Sequence, residues 1–194
     1  QISNNIDKFI SFNQLSKGEL ILKSDNKIIK KKSHWFSTKD LKIFDDKVYV
    51  NYVNKEIVTN VNDIKHDLVR ETLLKSGIKQ GIEVTMLADI PSEGSGLGSS
   101  SSLTVGLLNA MYQFVGKQVT AEQLAREACE IEIDILKKPI GKQDQYIAAY
   151  GGIRKFVFNT DDSVTVKSLS FSRDCRIRLG SNILLYFTDI TRKA

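Results

Sequence analysis

The pattern of apolar and polar positions divides the chain into a strand-rich first part and a helix-rich middle. Ile6 to Phe12 alternates loosely, Glu19 to Leu22 follows a glycine, and Val48, Val50 and Tyr52 alternate with other residues across Lys47 to Val53. These segments predict strands of an antiparallel sheet. From Asn62 to Ser76 the period lengthens: Ile64, Leu68, Val69 and Leu73 fall at helical spacing, and Gly77 stands where a helix end favours a left-handed residue. His66 lies within this predicted helix among charged neighbours, with no partner at ligand spacing, and reads as a surface residue. Gly81 to Ile90 is a half-buried strand, with Ile82, Val84 and Met86 alternating against Glu83, Thr85 and Leu87 and Pro91 closing it.

After a turn, PSEGSGLGSSSS, the residues Leu103, Leu107, Leu108, Met111, Phe114 and Val115 recur at helical intervals as far as Gly116. A second helix opens with the capping box Thr120 and Gln123, runs to about Leu136 and stops at Lys138-Pro139. GKQDQY then follows as a loop leading into Ile147 to Tyr150, the Gly151-Gly152 pair and further strands to Phe187. No repeat or linker-like boundary interrupts the chain, so residues 1–194 are expected to form one α+β domain.

Composition narrows the class. With 194 residues, 41% hydrophobic and 26% charged, the chain has the make-up of an ordinary globular domain. Its apolar runs fall short of the roughly 20 residues that would span a bilayer, and Gln1 to Phe12 has no secretory pattern, so no membrane partner is expected and the location reads as cytoplasmic. Cys129 and Cys175 match no metal spacing or disulfide framework and read as core fillers. A net charge of +5 invites a nucleic-acid reading, but the one basic run, Lys30-Lys31-Lys32, fits a solvated edge. A nucleic-acid partner is not expected; the positive balance suits substrates that carry phosphates.

The Gly/Ser turn is the most informative segment. It has no G-x-x-x-x-G-K-[ST] and lacks the third glycine of G-x-G-x-x-G, which excludes a Walker loop and a dinucleotide fingerprint. Three alternating glycines, Gly94, Gly96 and Gly98, between a strand and an amphipathic helix starting near Ser100, let backbone N–H groups converge on an anion. The helix start adds its dipole, and the serine hydroxyls add donors or a magnesium ligand. The plainer alternative is a flexible loop with an N-cap serine, against which Leu97 counts, because a folded turn can bury it on the sheet.

A second signal is electrostatic. On a helical wheel Leu124, Ala125, Ala128, Cys129, Ile131, Ile135 and Leu136 share one arc, and Glu132 falls inside it. A carboxylate there is costly unless paired or coordinated. A Lys, Arg or backbone partner is one solution and a metal ion the other.

The stretch Pro91, Gly94, Ser95, Gly96, Leu97, Gly98, Ser99, Ser100 and Ser101 resembles the central ATP-binding motif of the GHMP kinases, with Ser101 where many members have Ala. The resemblance implies the N-terminal domain of that family, similar to a ribosomal-protein domain, with a mixed or antiparallel sheet and helices packed on one side. It implies ATP and Mg2+, with the turn wrapping the nucleotide phosphates and Ser100 and Glu132 holding the metal. GKQDQY resembles the segment whose aspartate serves as base, which assigns Asp144 as the catalytic group; a turn-forming aspartate is the alternative. Lys142 would stabilise the transferring phosphoryl or depress the Asp144 pKa, or be a solvated loop lysine.

Within the family, IDKFISF, HDLVRETLL, GKQDQYIAAYGG and LLYFTDITRKA together look most like the bacterial D-glycero-D-manno-heptose 7-phosphate kinases. These phosphorylate the anomeric hydroxyl of that sugar phosphate on the way to nucleotide-activated heptose for surface polysaccharide. Fucose, galactose or a uronic acid are alternative substrates, a catalytically silent ligand sensor is an alternative role, and a homodimer is compatible. The first and third family motifs find no match, so a truncated chain is expected, with most of the C-terminal domain absent and an end that reaches into its start after about residue 175.

Overall fold

Two β-hairpins and a single strand between them build the main sheet of the protein, seen in a computed structural model that describes residues 18–24, 27–29, 45–88, 97–184 and 186. Strands β1 (Gly18–Ser24), β2 (Lys27–Ile29), β3 (Val48–Asn51), β4 (Lys55–Val58) and β5 (Ile82–Ala88) lie in the order β2-β1-β5-β3-β4. All neighbours are antiparallel except β3 and β5, which run parallel with Val48 opposite Ile82 and Val50 opposite Val84. The sheet is therefore mixed. Its two faces divide as strand alternation requires. Val48, Val50, Ile82 and Val84 are buried against helices, whereas on the other face the Asn51 amide donates to Glu83 Oε1 and Thr85 Oγ1 at 2.7 and 2.9 Å.

Helix α1 (Asp67–Ser76) and helix α2 (Ser99–Phe114) pack on the apolar face through Val69, Leu73, Leu107 and Met111. Helix α3 (Ala121–Cys129) and helix α4 (Gln143–Tyr150) form a further layer against α2, with Val105, Leu108 and Tyr112 meeting Leu124, Ala128, Tyr146 and Ala149. Helix α2 is thus buried on both sides, and its start stands at the site described below. Truncating Leu107, which is fully buried, would cost about 2–5 kcal/mol. The hairpin of β6 (Arg154–Phe158) and β7 (Val164–Ser168) covers the outer layer with Phe156 and Val166, and α5 (Arg173–Ser181) follows.

Several expectations need correction. Val53 is 91% exposed, because β3 ends at Asn51 and the chain turns, Tyr52 N–H donating to the Asn54 carbonyl. The helix expected over Asn62 to Ser76 is a 3-10 turn, Val61–Asp63, followed by α1. His66 is half-buried rather than superficial: its Nδ1 caps α1 by accepting from Val69 N–H, and its ring meets Tyr52 edge-on. Gly77 does end α1 in the left-handed region, at φ 77°. Val115 lies beyond the end of α2 and is exposed. Only half of the capping box forms, since Thr120 accepts from Gln123 N–H while the Gln123 amide turns to Glu127.

The segment 143–150 is a helix, not a loop entering a strand. Residues 173–181 are likewise helical, with Ser172 accepting from Cys175 N–H at the N-cap, and Cys175 is exposed rather than a core filler. Among the described residues no helix is long and apolar enough to cross a membrane. The expected strand Ile6 to Phe12 and the run Lys30-Lys31-Lys32 lie outside the described residues.

Candidate active site

Three chain segments converge at the start of α2. Gly98 is its N-cap residue at φ 68°, a left-handed conformation that only glycine adopts without strain. The first bond of the helical ladder runs from Ser102 N–H to the Gly98 carbonyl (3.0 Å), which leaves the N–H groups of Ser99, Ser100 and Ser101 outside it. Among the described residues no side chain caps them and no acid stands in the first turn, whereas α1, α3 and α5 each have both a side-chain cap and a first-turn acid. The positive end of α2 thus has, among the described residues, neither a side-chain cap nor a first-turn acid, an arrangement that suits an anion site.

Ser100 points its hydroxyl inward, donating to Glu132 Oε2 at 2.8 Å. Ser101 is 2% exposed, so its side chain faces the core. Leu97, expected to be buried on the sheet, is instead exposed. Pro91, Gly94, Ser95 and Gly96 lie outside the described residues.

Glu132 is fully buried, as its place on the wheel indicates. It sits in a π-helical turn, Glu130–Ile135, that continues α3, with Leu136 N–H reaching the Ile131 carbonyl at 2.9 Å. The wider i to i+5 spacing shifts the phase of every later side chain, which is why Ile135, expected on the buried arc, is exposed. The Glu132 carboxylate divides its two oxygens: Oε2 takes Ser100 and lies 4.0 Å from Lys138 Nζ, while Oε1 accepts from the Gln145 amide at 3.1 Å.

Asp144 stands in the first turn of α4 and approaches α2 so closely that a Cβ added at Gly98 would lie 3.3 Å from its Cγ and Oδ2. The predicted metal ligands and the predicted base therefore meet at one helix start. Lys142 does not join them. Its Nζ bonds Asp162 Oδ1 at 2.6 Å in the β6–β7 turn, and that hydrogen bond raises its pKa. Gln145 is the residue that sequence reasoning missed.

The donor set suits magnesium. Ser100 and Glu132 offer oxygens 2.8 Å apart, close to the about 2.9 Å between neighbouring ligands in an octahedral shell with bonds of 2.0–2.1 Å. Among the described residues no three His, Cys, Asp or Glu side chains form a metal cluster. A hard cation held here needs further oxygens from water or phosphate, the usual arrangement for magnesium.

The sheet, the helix order and this site define a class. Residues 57–152 match the family model of the GHMP kinases N terminal domain, and the chain belongs to that family. It is 34% identical over 155 residues to a D-glycero-alpha-D-manno-heptose 7-phosphate kinase of Campylobacter jejuni, covering 77% of this chain and 45% of that protein. An L-fucokinase/L-fucose-1-P guanylyltransferase of Bacteroides fragilis is 34% identical over 116 residues, 59% of this chain and 12% of that one. A solved chain from Campylobacter jejuni superposes with a TM-score of 0.67 at 30% identity, covering 79% of this chain and 50% of its own length. A D-glycero-D-manno-heptose 1-phosphate kinase from Bacteroides thetaiotaomicron shares the fold, with a TM-score of 0.64 at 23% identity over 79% of this chain and 48% of that one. The chain thus spans half or less of the length of these relatives.

Proposed function

We propose that this chain is the ATP-binding domain of a magnesium-dependent sugar kinase whose acceptor is D-glycero-D-manno-heptose 7-phosphate. The observation that carries the reading is the meeting of Ser100, Glu132 and Asp144 at the uncapped start of α2. The free N–H groups of Ser99 to Ser101 bind phosphate oxygens of ATP. Ser100 and Glu132 would hold magnesium, which supplies positive charge against the phosphates. Asp144 accepts the proton of the attacking hydroxyl as its oxygen bonds the γ-phosphorus, and the bond to the β–γ bridging oxygen breaks with its electron pair leaving on ADP.

The choice of acceptor is supported by the likeness to the Campylobacter jejuni heptose 7-phosphate kinase, and L-fucose is the second reading because of the Bacteroides fragilis likeness. The test is ADP formation by the full-length protein with ATP, Mg2+ and a panel of these two sugars, galactose and a uronic acid. Turnover with the heptose 7-phosphate at the highest kcat/KM is expected. Preference for an unphosphorylated sugar rejects the acceptor, and no turnover with any panel member favours a ligand sensor. Asp144→Asn should lower kcat by about 10²–10⁴ while ATP still binds; undiminished kcat removes Asp144 from the chemistry.

A further inference from the structure

We infer that Gln145 is a positioning residue that fixes the orientation of the Glu132 carboxylate and so turns one of its oxygens toward the metal site. This rests on the assignment of Ser100 and Glu132 as magnesium ligands. Gln145 is fully buried, and its Nε2 donates to Glu132 Oε1 at 3.1 Å. The opposite oxygen, Oε2, is the one that receives Ser100 Oγ. A carboxylate can rotate about its last torsion through a broad minimum, so two unlike partners on its two oxygens are what hold one orientation. Lys138, at 4.0 Å and on the Oε2 side, does not provide the opposing restraint.

The amide's other end marks the same commitment. Gln145 Oε1 is buried without a hydrogen-bond partner among the described residues. An amide serving only to fill and knit the core would be expected to satisfy both ends, because an orphaned acceptor is destabilising. Here the donor end goes to the carboxylate, and among the described residues the acceptor end has no partner. Residues that orient a metal ligand in this way commonly matter to metal affinity by about 10–100-fold.

The experiment compares the full-length protein with Gln145→Met, which keeps side-chain length and removes the amide. Mn2+ affinity in the presence of ATP is read by electron paramagnetic resonance, and metal-free ATP affinity by calorimetry. The expected result is a 10–100-fold loss in Mn2+ affinity with metal-free ATP affinity changed less than twofold. An unchanged Mn2+ affinity, or an equal loss in metal-free ATP affinity, overturns the inference. Should Gln145→Met not fold, Gln145→Asn withdraws the same amide by one methylene and is judged by the same two outcomes. In a Glu132→Gln background the Gln145 substitution should change Mn2+ affinity no further, since its effect passes through Glu132; a full additional loss shows an independent role. If Ser100→Ala and Glu132→Gln leave Mn2+ affinity unaltered, the metal assignment itself fails; if they lower it and Gln145→Met does not, only the positioning role fails.

Discussion

Replacing Gly98 by alanine separates two effects that meet at this one residue. The first is backbone strain. At φ 68°, a side chain costs about 1–2 kcal/mol, and at about 2–4 °C per kcal/mol for a domain of this size the melting temperature should fall by about 2–8 °C. The second is local to the site: the new Cβ would lie 3.3 Å from Asp144 Cγ and Oδ2. That is tighter than ordinary contact, so α4 or the carboxylate must yield by a few tenths of an ångström. Since a misplacement of 1 Å can cost about 10²-fold, a kcat loss of about threefold to tenfold follows. Gly81 is the matched control, because it has the same φ of 68° with nothing within 4 Å of an added Cβ. Thermal melts and steady-state kinetics on Gly98→Ala and Gly81→Ala should show similar destabilisation, with kcat reduced only in the former. Equal kcat loss in both variants, or a destabilised Gly98→Ala with parental kcat, would refute the close approach of Asp144 as a functional contact.

Two further outcomes can be measured without a substrate. Burial holds the His66 pKa below its ordinary value of about 6.5, outweighing the Asp67 and Glu56 carboxylates that act the other way. The unfolded chain then binds the proton first, so stability should fall as pH drops from above 6.5 towards the folded-state pKa and level off below it. His66→Asn, which can still cap α1, should flatten that part of the melting-temperature profile between pH 7.5 and 5.5; an unaltered slope rejects the buried His66 imidazole as its source. Burial also pushes the Cys129 thiol up to about 12, so iodoacetamide at pH 8 should leave it unmodified until denaturant is added, and mass-spectrometric detection of native Cys129 labelling would contradict the packing of α3.

The parts of the site that announce themselves in sequence do so through local rules. Gly98 stands between a strand and a helix, and Glu132 interrupts an apolar arc, so both could be placed without knowing their neighbours. Helix α4 could not, because Tyr146-Ile147-Ala148-Ala149-Tyr150 is a continuous apolar run that suits a strand as well as a short buried helix. In α5, Cys175, Ile177 and Leu179 alternate with Arg176 and Arg178, a period of two that mimics a strand although Ser172 caps a helix. The π turn shifts phase without any glycine or proline inside Glu130–Ile135 to signal it. Gln145 was illegible for a different reason: a glutamine becomes informative only once its buried partner is known. Of the two readings of Lys142, the one that brings it to Asp144 fails because Asp162, twenty positions later, competes for it.

Asp144 and Gln145 are consecutive on one turn of α4, the first against Gly98 and the second on Glu132. Their separation is therefore set by covalent geometry, and any rocking of α4 carries both by the same displacement. Errors in the placement of the Asp144 carboxyl and the Gln145 amide are correlated and cancel in the distance between them, leaving the gap between α4 and α2 as the coordinate along which the site can loosen. Tyr146 and Tyr150, further along the same helix, are tied through their hydroxyls to Glu122 on α3. That tether acts as a hinge stop away from the start of α2, so its removal should appear first as lost precision between α2 and α4.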